Sequence, residues 1–215
     1  AGHCFKKHWY AINGYEGKDM DEKSKRLLRL GTIVHEDIQK AIQVYNTKDN
    51  KVDNALFEEY NLKFEIEYPI LIESLNVMGS ADIVVLDSEK TASVLDIKTT
   101  HSWKWKMMFG RTSREPKPSR MYELQLGTYA LGVIEQEDIE YDNISLYLVY
   151  YKKDDSMMRS VSVNEIWIEN AAEYWTSLNE TLDMVKDEED LPRGSLNVPI
   201  EDWECRYCQF EPICN

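Results

Sequence analysis

Between Gly79 and Thr99 the chain reads Gly-Ser-Ala-Asp-Ile-Val-Val-Leu, a short polar segment, then Ala-Ser-Val-Leu-Asp-Ile-Lys-Thr. Two runs rich in β-branched residues flank Asp87-Ser88-Glu89-Lys90-Thr91, the pattern of antiparallel strands joined by a hairpin loop. A turn centred on Glu89 sets Leu86 opposite Ala92, Val84 opposite Val94 and Asp82 opposite Asp96. Two carboxylates placed across a strand pair stand roughly 5 Å apart at Cβ, a distance at which like charges repel. Strand alternation puts Lys98 on the side of Asp96 and turns Ile97 to the other. Apolar residues occupy both faces of both runs, as in central strands covered on each side. Acids in so buried a place need a counter-charge, and a divalent cation supplies it for both. A lone Asp-x-Lys is more often a surface ion pair. The second Asp in register, and further partners elsewhere in the chain, weigh against that reading.

Around the hairpin, the periodicity predicts about four strands and several helices. Over 21–46, Leu27, Leu30, Val34, Ile38, Ala41 and Tyr45 recur at helical spacing and predict a helix with that stripe in the core. His35 lies just off the stripe, one turn after Gly31, whose missing side chain leaves room for another backbone or an ion. The polar residues 47–61 read as a connecting segment. Residues 62–72 alternate as a first strand, with Pro69 marking an edge or a bend. Residues 101–118 are expected to form a long loop. A helix is predicted over 119–136, capped by Ser119, with Tyr122, Gln125 and Tyr129 on one face. Residues 144–151 supply the fourth strand. Ser162 and Glu165 form a capping box before a helix whose Ile168, Ala171, Trp175, Leu178, Leu182 and Val185 are core packing. The acids 187–190 should fray its C-terminal end.

At 215 residues and 43% apolar content the chain can bury one core, so a single domain spanning 1–215 is expected. No apolar run approaches the ~20 residues of a membrane helix, and no signal-peptide pattern is visible; a soluble, cytoplasmic protein with no membrane partner is expected. A net charge of −14 argues against coating nucleic acid by bulk charge. The charge is uneven, however. From Lys98 to Arg120 there are seven basic residues against one acid, Glu115, whereas Glu165 to Asp190 holds nine acids and one Lys. The basic stretch interleaves Trp103, Trp105 and Phe109, a mixture suited either to stacking bases and neutralising phosphates or to docking a solvated insertion on the core. If it tracks a strand, neutralising Arg111, Arg114 and Lys117 should flatten the salt dependence of DNA binding. Of four cysteines, Cys205, Cys208 and Cys214 lie within ten residues and Cys4 at the far end. Such spacing suits a four-thiolate metal centre better than disulfides, and on spacing alone tetrahedral zinc fits. Closing the chain ends on one metal would restrict the unfolded state by about 5 kcal/mol, with Trp203, Tyr207, Phe210 and Pro212 shielding the centre.

The order Gly31-x3-His35, Gly79-x2-Asp82, Asp96-Ile97-Lys98-Thr99 and Gln125-x3-Tyr129 resembles the RecB-type branch of the PD-(D/E)XK nucleases. With Cys4 and Cys205-x2-Cys208-x5-Cys214 added, the chain resembles the iron–sulfur members of that branch, which include CRISPR-associated exonucleases and the nuclease domains of AddB-type helicase–nucleases. Cys4 followed by Trp9 and Tyr10 is similar to the start of the CRISPR-associated group. The resemblance implies a restriction-endonuclease-like α/β (α+β) core, a central mixed sheet of about four strands flanked by helices, with a C-terminal cluster element tied to the N-terminus, built from 1–10 and 200–215. It implies that His35, Asp82, Asp96 and the Ile97 carbonyl hold Mg²⁺ or Mn²⁺, and that Lys98 positions water or neutralises developing charge. Asp82, Asp96 and Lys98 are then the catalytic set, Gln125, Tyr129 and Tyr122 hold DNA, and Cys4, Cys205, Cys208 and Cys214 hold a structural [4Fe–4S] cluster in preference to zinc. No P-loop or Rossmann glycine pattern accompanies them, which favours a stand-alone nuclease over a helicase-fused one.

The resulting expectation is a metal-dependent DNA exonuclease acting on single-stranded ends. The competing readings are a DNA-binding or adaptor module with protein partners in recombination or CRISPR adaptation, and an endonuclease that trims ends.

Overall fold

In the computed structural model of the chain, residues 2–46, 62–110, 117–187, 191 and 202–214 are described. Five strands form one mixed sheet in the order β1 (Lys63–Ile72), β2 (Val77–Leu86), β3 (Ala92–Thr100), β4 (Ile144–Lys152), β5 (Met158–Val163). β3 and β4 are parallel and the other neighbours antiparallel. The fold class, the hairpin and the first four strands are as expected. β5 was missed because it is a mostly exposed edge strand, in which burial imposes no alternation on the sequence.

The helices follow from what each sheet face must cover. A parallel β3–β4 pair needs a crossover, and here it contains α3 (Ser102–Phe109) and α4 (Arg120–Glu137). Leu126, Ala130 and Val133 of α4 pack with Val84, Val94, Leu146 and Leu148 on one face of the sheet. Gln136 reaches the edge strand, donating to the Pro69 carbonyl at 2.9 Å and accepting from the Leu71 N–H at 2.9 Å. Backbone groups of an open edge are thereby paired. α5 (Ile166–Met184) packs on α4 so closely that a Cβ at Gly127 would collide with the Trp167 carbonyl oxygen.

On the far side of α5, Ala171, Tyr174 and Leu178 meet Phe5 of α1 (Phe5–Ile12). Trp9 and Tyr10 of α1 pack in turn with Leu191 and Phe210, and the Tyr10 hydroxyl donates to the Ile213 carbonyl at 3.2 Å. A short helix α6 (Asp202–Arg206) precedes that contact. The second face of the sheet, where Ile83 and Ile97 point by alternation, receives α2 (Glu22–Asn46), with Gly31 against Thr99.

Four local expectations are corrected. Leu27, Leu30 and Ala41 of the anticipated α2 stripe are exposed and only Val34 and Ile38 of it are half-buried, because the face that α2 turns to the sheet runs through Gly31, His35 and Gln39; the side chain of Tyr45 is outside the described residues. The stretch read as a loop from His101 contains α3, and its N-cap is the His101 side chain accepting from Lys104 N at 3.5 Å. Ser162 belongs to β5 rather than to a capping box, and Asn164 Oδ1 instead accepts from Ile166 N at 2.9 Å. Ser119 occupies the N-cap of α4, yet its side chain makes no capping bond. Residues 47–61, and Arg111 and Arg114 of the basic stretch, lie outside the described residues.

Candidate active site

The strand pairing ends where the acids begin. Leu86 pairs with Ala92 and Val84 with Val94 as expected, but the ladder stops at Ile83 and Leu95, one residue short of Asp82 and Asp96. The Asp82 carboxylate explains the break, since its Oδ2 accepts from Ile97 N at 2.6 Å. A side chain has taken the backbone donor, and the two strands part around it. The same oxygen stands 3.4 Å from His35 Nδ1 on α2. That contact raises the His35 pKa above its ordinary value, against the opposing effect of burial.

Asp96 is only 2% exposed. Burial raises its pKa to about 6, with the nearby Asp82 adding to the rise and Lys98 opposing it. Lys98 Nζ lies 2.6 Å from Asp96 Oδ2, but that oxygen has no aligned hydrogen bond. The contact is therefore an ion pair that leaves oxygen lone pairs unused. Lys98 also donates to Gln125 Oε1 at 3.0 Å, and Gln125 Nε2 donates to the Tyr129 hydroxyl at 2.7 Å. Asp96, Lys98, Gln125 and Tyr129 thus form one chain of contacts from β3 to α4. Burial lifts the Tyr129 phenol to about 12, helped by the fields of Asp96, Asp82 and Glu67. Tyr122 presents its ring 4.7 Å from Lys98 Nζ.

His35, Asp82, Asp96, Lys98, Gln125, Tyr129 and Tyr122 are therefore brought together. Ile97 contributes its N–H, and its side chain is fully buried on the opposite face. Lys117 is exposed and makes no described contact with this group. Among the described residues no three His, Cys, Asp or Glu side chains are drawn together to hold a metal ion. The acids are turned instead toward the Ile97 N–H, His35 and Lys98. The donor chemistry still suits a hard divalent cation: two carboxylates, one of them with a buried, incompletely satisfied oxygen, and an imidazole.

Three neighbours escaped the sequence reading. Glu67 interrupts the β1–β2 ladder opposite Asp82, with Ile66 paired to Ile83 and Tyr68 to Ala81. Its φ is 51°, in the left-handed region that non-glycine residues rarely adopt. The carboxylate accepts from Gln39 Nε2 at 2.7 Å and from Ser80 Oγ at 2.8 Å. Gln39 also reaches the Asp82 carbonyl at 3.4 Å. Gln39 carried a signal, being one turn beyond His35 on the same helix face. Glu67 carried none, because backbone strain leaves no mark on periodicity.

The four cysteines are not disulfide-bonded. Cys208 N donates to the Cys205 carbonyl at 3.1 Å in a tight turn. The Cys214 thiol is pushed up by burial, and the proximity of Cys4 and Cys208 pushes it further. Phe210 is buried beside this region, but Tyr207 and Pro212, expected to shield it, face solvent, and the Trp203 side chain is outside the described residues. The short turn is too small to fold all its apolar groups inward.

The chain matches the family model for the PD-(D/E)XK nuclease superfamily over residues 19–215. No curated protein matches it significantly. Among solved structures it is similar to SSO0001, with TM-score 0.45 and 19% identity over 98% of this chain and 80% of that one. It is also similar to a protein from Eubacterium rectale named as an exonuclease, with TM-score 0.50 and 14% identity over 95% of this chain and 80% of that one. An alkaline exonuclease from Laribacter hongkongensis gives TM-score 0.37 and 13% identity over 82% of this chain and 92% of that one. At such identities the likeness to the Eubacterium rectale structure is one of fold, and the weaker two carry no argument. Most of the chain, including the parted strands with their two acids and lysine, lies within the family match, and the protein belongs to the PD-(D/E)XK nuclease superfamily.

Proposed function

We propose that the chain is a metal-dependent deoxyribonuclease that hydrolyses phosphodiester bonds, acting as an exonuclease on single-stranded ends. The observation that carries this reading is the buried Asp96–Lys98 pair, linked through Gln125 to Tyr129 and flanked by Asp82 and His35. Nucleases of this superfamily typically use divalent metals such as Mg²⁺. His35, Asp82, Asp96 and the Ile97 carbonyl would hold such an ion, Mg²⁺ or Mn²⁺, which when bound supplies Lewis-acid polarisation of phosphate and water. Lys98, already fixed between Asp96 and Gln125, orients the attacking water and offsets charge gathering on the phosphate. Gln125, Tyr129 and Tyr122 position the strand, and the hydrogen bond between Gln125 and Tyr129 limits the reorganisation required on binding.

The four cysteines are proposed to hold a structural [4Fe–4S] cluster that ties residues 1–10 to residues 200–215 within a single domain. Support comes from the soft four-thiolate donor set and from the packing of α1 on Phe210. Protein partners in recombination or CRISPR adaptation would be additional to the intrinsic activity.

The test is degradation of end-labelled single-stranded and duplex DNA by purified protein in Mg²⁺, Mn²⁺ or EDTA. Activity confined to the metal-containing reactions, favouring single strands and falling about 10²-fold or more in Lys98→Ala and Asp96→Ala, is expected. Equal degradation in EDTA would overturn the reading, as would full activity in both variants.

A further inference from the structure

Of the three aromatic residues that α3 places after the hairpin, two belong to the core. Trp105 is buried, and Phe109 packs against it and against Tyr150 with ring centroids 4.6 and 5.7 Å apart. Trp103 instead stands 67% exposed, as does Met107 at 59%, one turn further along the same helical face. The His101 ring lies 6.2 Å from the Trp103 ring and within 26° of parallel. A large indole kept in water and backed by a second planar ring is a stacking platform, not a packing residue.

The adjacent Lys104 ties this platform to the candidate active site. Its Nζ lies 5.0 Å from the centroid of the Tyr122 ring, the same ring that carries Lys98 Nζ at 4.7 Å. One shared ring keeps the two ammoniums within about 10 Å, a Debye length at 0.1 M salt. Asp96 pairs with Lys98, whereas Lys104 has no carboxylate partner among the described residues. In a chain of net charge −14, a cation beside the candidate site with no acid partner among the described residues is placed for an external anion.

We propose that Trp103 and Lys104 form a nucleotide subsite beside Lys98, in which the indole stacks on an unpaired base and Lys104 holds the phosphate of the neighbouring nucleotide. Paired bases already bury their faces against one another, so such a platform selects single-stranded DNA. This subsite rests on the nuclease reading and names the device by which that site would choose its substrate.

The test is equilibrium binding of a fluorescent oligo(dT) and a blunt duplex of equal length, in EDTA so that nothing is cleaved. Wild type, Trp103→Ala, Trp103→Phe and Lys104→Ala are compared, with a parallel metal-dependent cleavage assay on the wild type. Trp103→Ala should weaken oligo(dT) binding by about tenfold or more while duplex binding changes less than about twofold, and Trp103→Phe should retain most of the affinity. Lys104→Ala should reduce the slope of log affinity against log salt by about 0.7. Unchanged oligo(dT) binding in Trp103→Ala would overturn the proposal, and so would equal losses for oligo(dT) and duplex. Should Trp103→Ala lower the melting temperature, Trp103→Phe and the Lys104 salt slope decide in its place. Trp103-dependent binding without wild-type cleavage would overturn the nuclease reading alone and leave the subsite standing.

Discussion

Asp96 is buried, and that burial has a measurable pH signature. The Asp96 carboxyl titrates at about 6 in the fold, above its ordinary 3.8. Between those values the native protein holds a proton that the unfolded chain has released. Stability of the metal-free protein should therefore fall as pH rises through that window and level off above it. Asp96→Asn should abolish this descent, on the order of 2 kcal/mol, in calorimetric melts from pH 4 to 7. His35 titrates with a raised pKa, so its contact with Asp82 stabilises the fold fully below 6.5 and is lost as pH climbs past its folded value. A divalent ion needs Asp96 ionised and His35 neutral. Its affinity should accordingly rise with pH from about 6 upward and release protons, measurable by titration calorimetry in buffers of different ionisation enthalpy. A pH-independent metal affinity would contradict this assignment. Asp82, Asp96 and Lys98 were legible from the hairpin register, whereas His35 was legible only through the ordered motifs of the family resemblance, since a His one turn after a Gly is a weak signal by itself. Glu67 was not, since its role depends on a positive φ and on neighbours distant in sequence.

Elements differ in how much their glycines matter. A Cβ at Gly31 would meet Thr99 Oγ1 at 3.6 Å, ordinary contact, so the close approach expected at that position is not what requires glycine. Gly31→Ala should keep the fold and gain up to about 1 kcal/mol of helix stability. Gly127→Ala would drive a methyl into the Trp167 carbonyl and should cost about 1–3 kcal/mol or more by forcing α4 and α5 apart. Urea melts of the two variants give opposite signs if this packing is right. The hairpin was legible because two β-branched runs flank a short polar turn, and α4 because its run of residues after Ser119 is long enough for a helix. α3 was not, because its outward face mixes Trp103 and Met107 with lysines and so mimics a solvated loop; its helix is decided by His101 at the cap and by Trp105 and Met108 entering the core.

For the molecule as a whole, the critical join is between the two ends of the chain. α1 packs on α5 through Phe5, and Phe210 closes against Tyr10 with ring centroids 5.2 Å apart. Phe210→Ala should cost about 3–5 kcal/mol, read from chemical denaturation. If the four cysteines hold the proposed iron–sulfur cluster, anaerobically purified protein is expected to be brown with a broad absorption band near the violet end of the visible, and Cys208→Ser to bleach it and lower the melting temperature. Colourless, zinc-containing protein would reverse the choice of metal. Among the described residues no helix is long and apolar enough to cross a membrane.

Where the family resemblance added the histidine and the amide, the chain's own order of residues determined the helices and strands, the hairpin with its inner register, and the placing of two acids and a lysine on one face of it. These depend on periodicity and on turn chemistry, which act between residues near one another in sequence. Only the tertiary structure decided that the strands part at Asp82, that Glu67 and Gln39 join the group, and which of three neighbouring aromatics faces water. Each of those outcomes depends on a competition for a partner or a buried place between segments far apart along the chain, and no local pattern records who wins it.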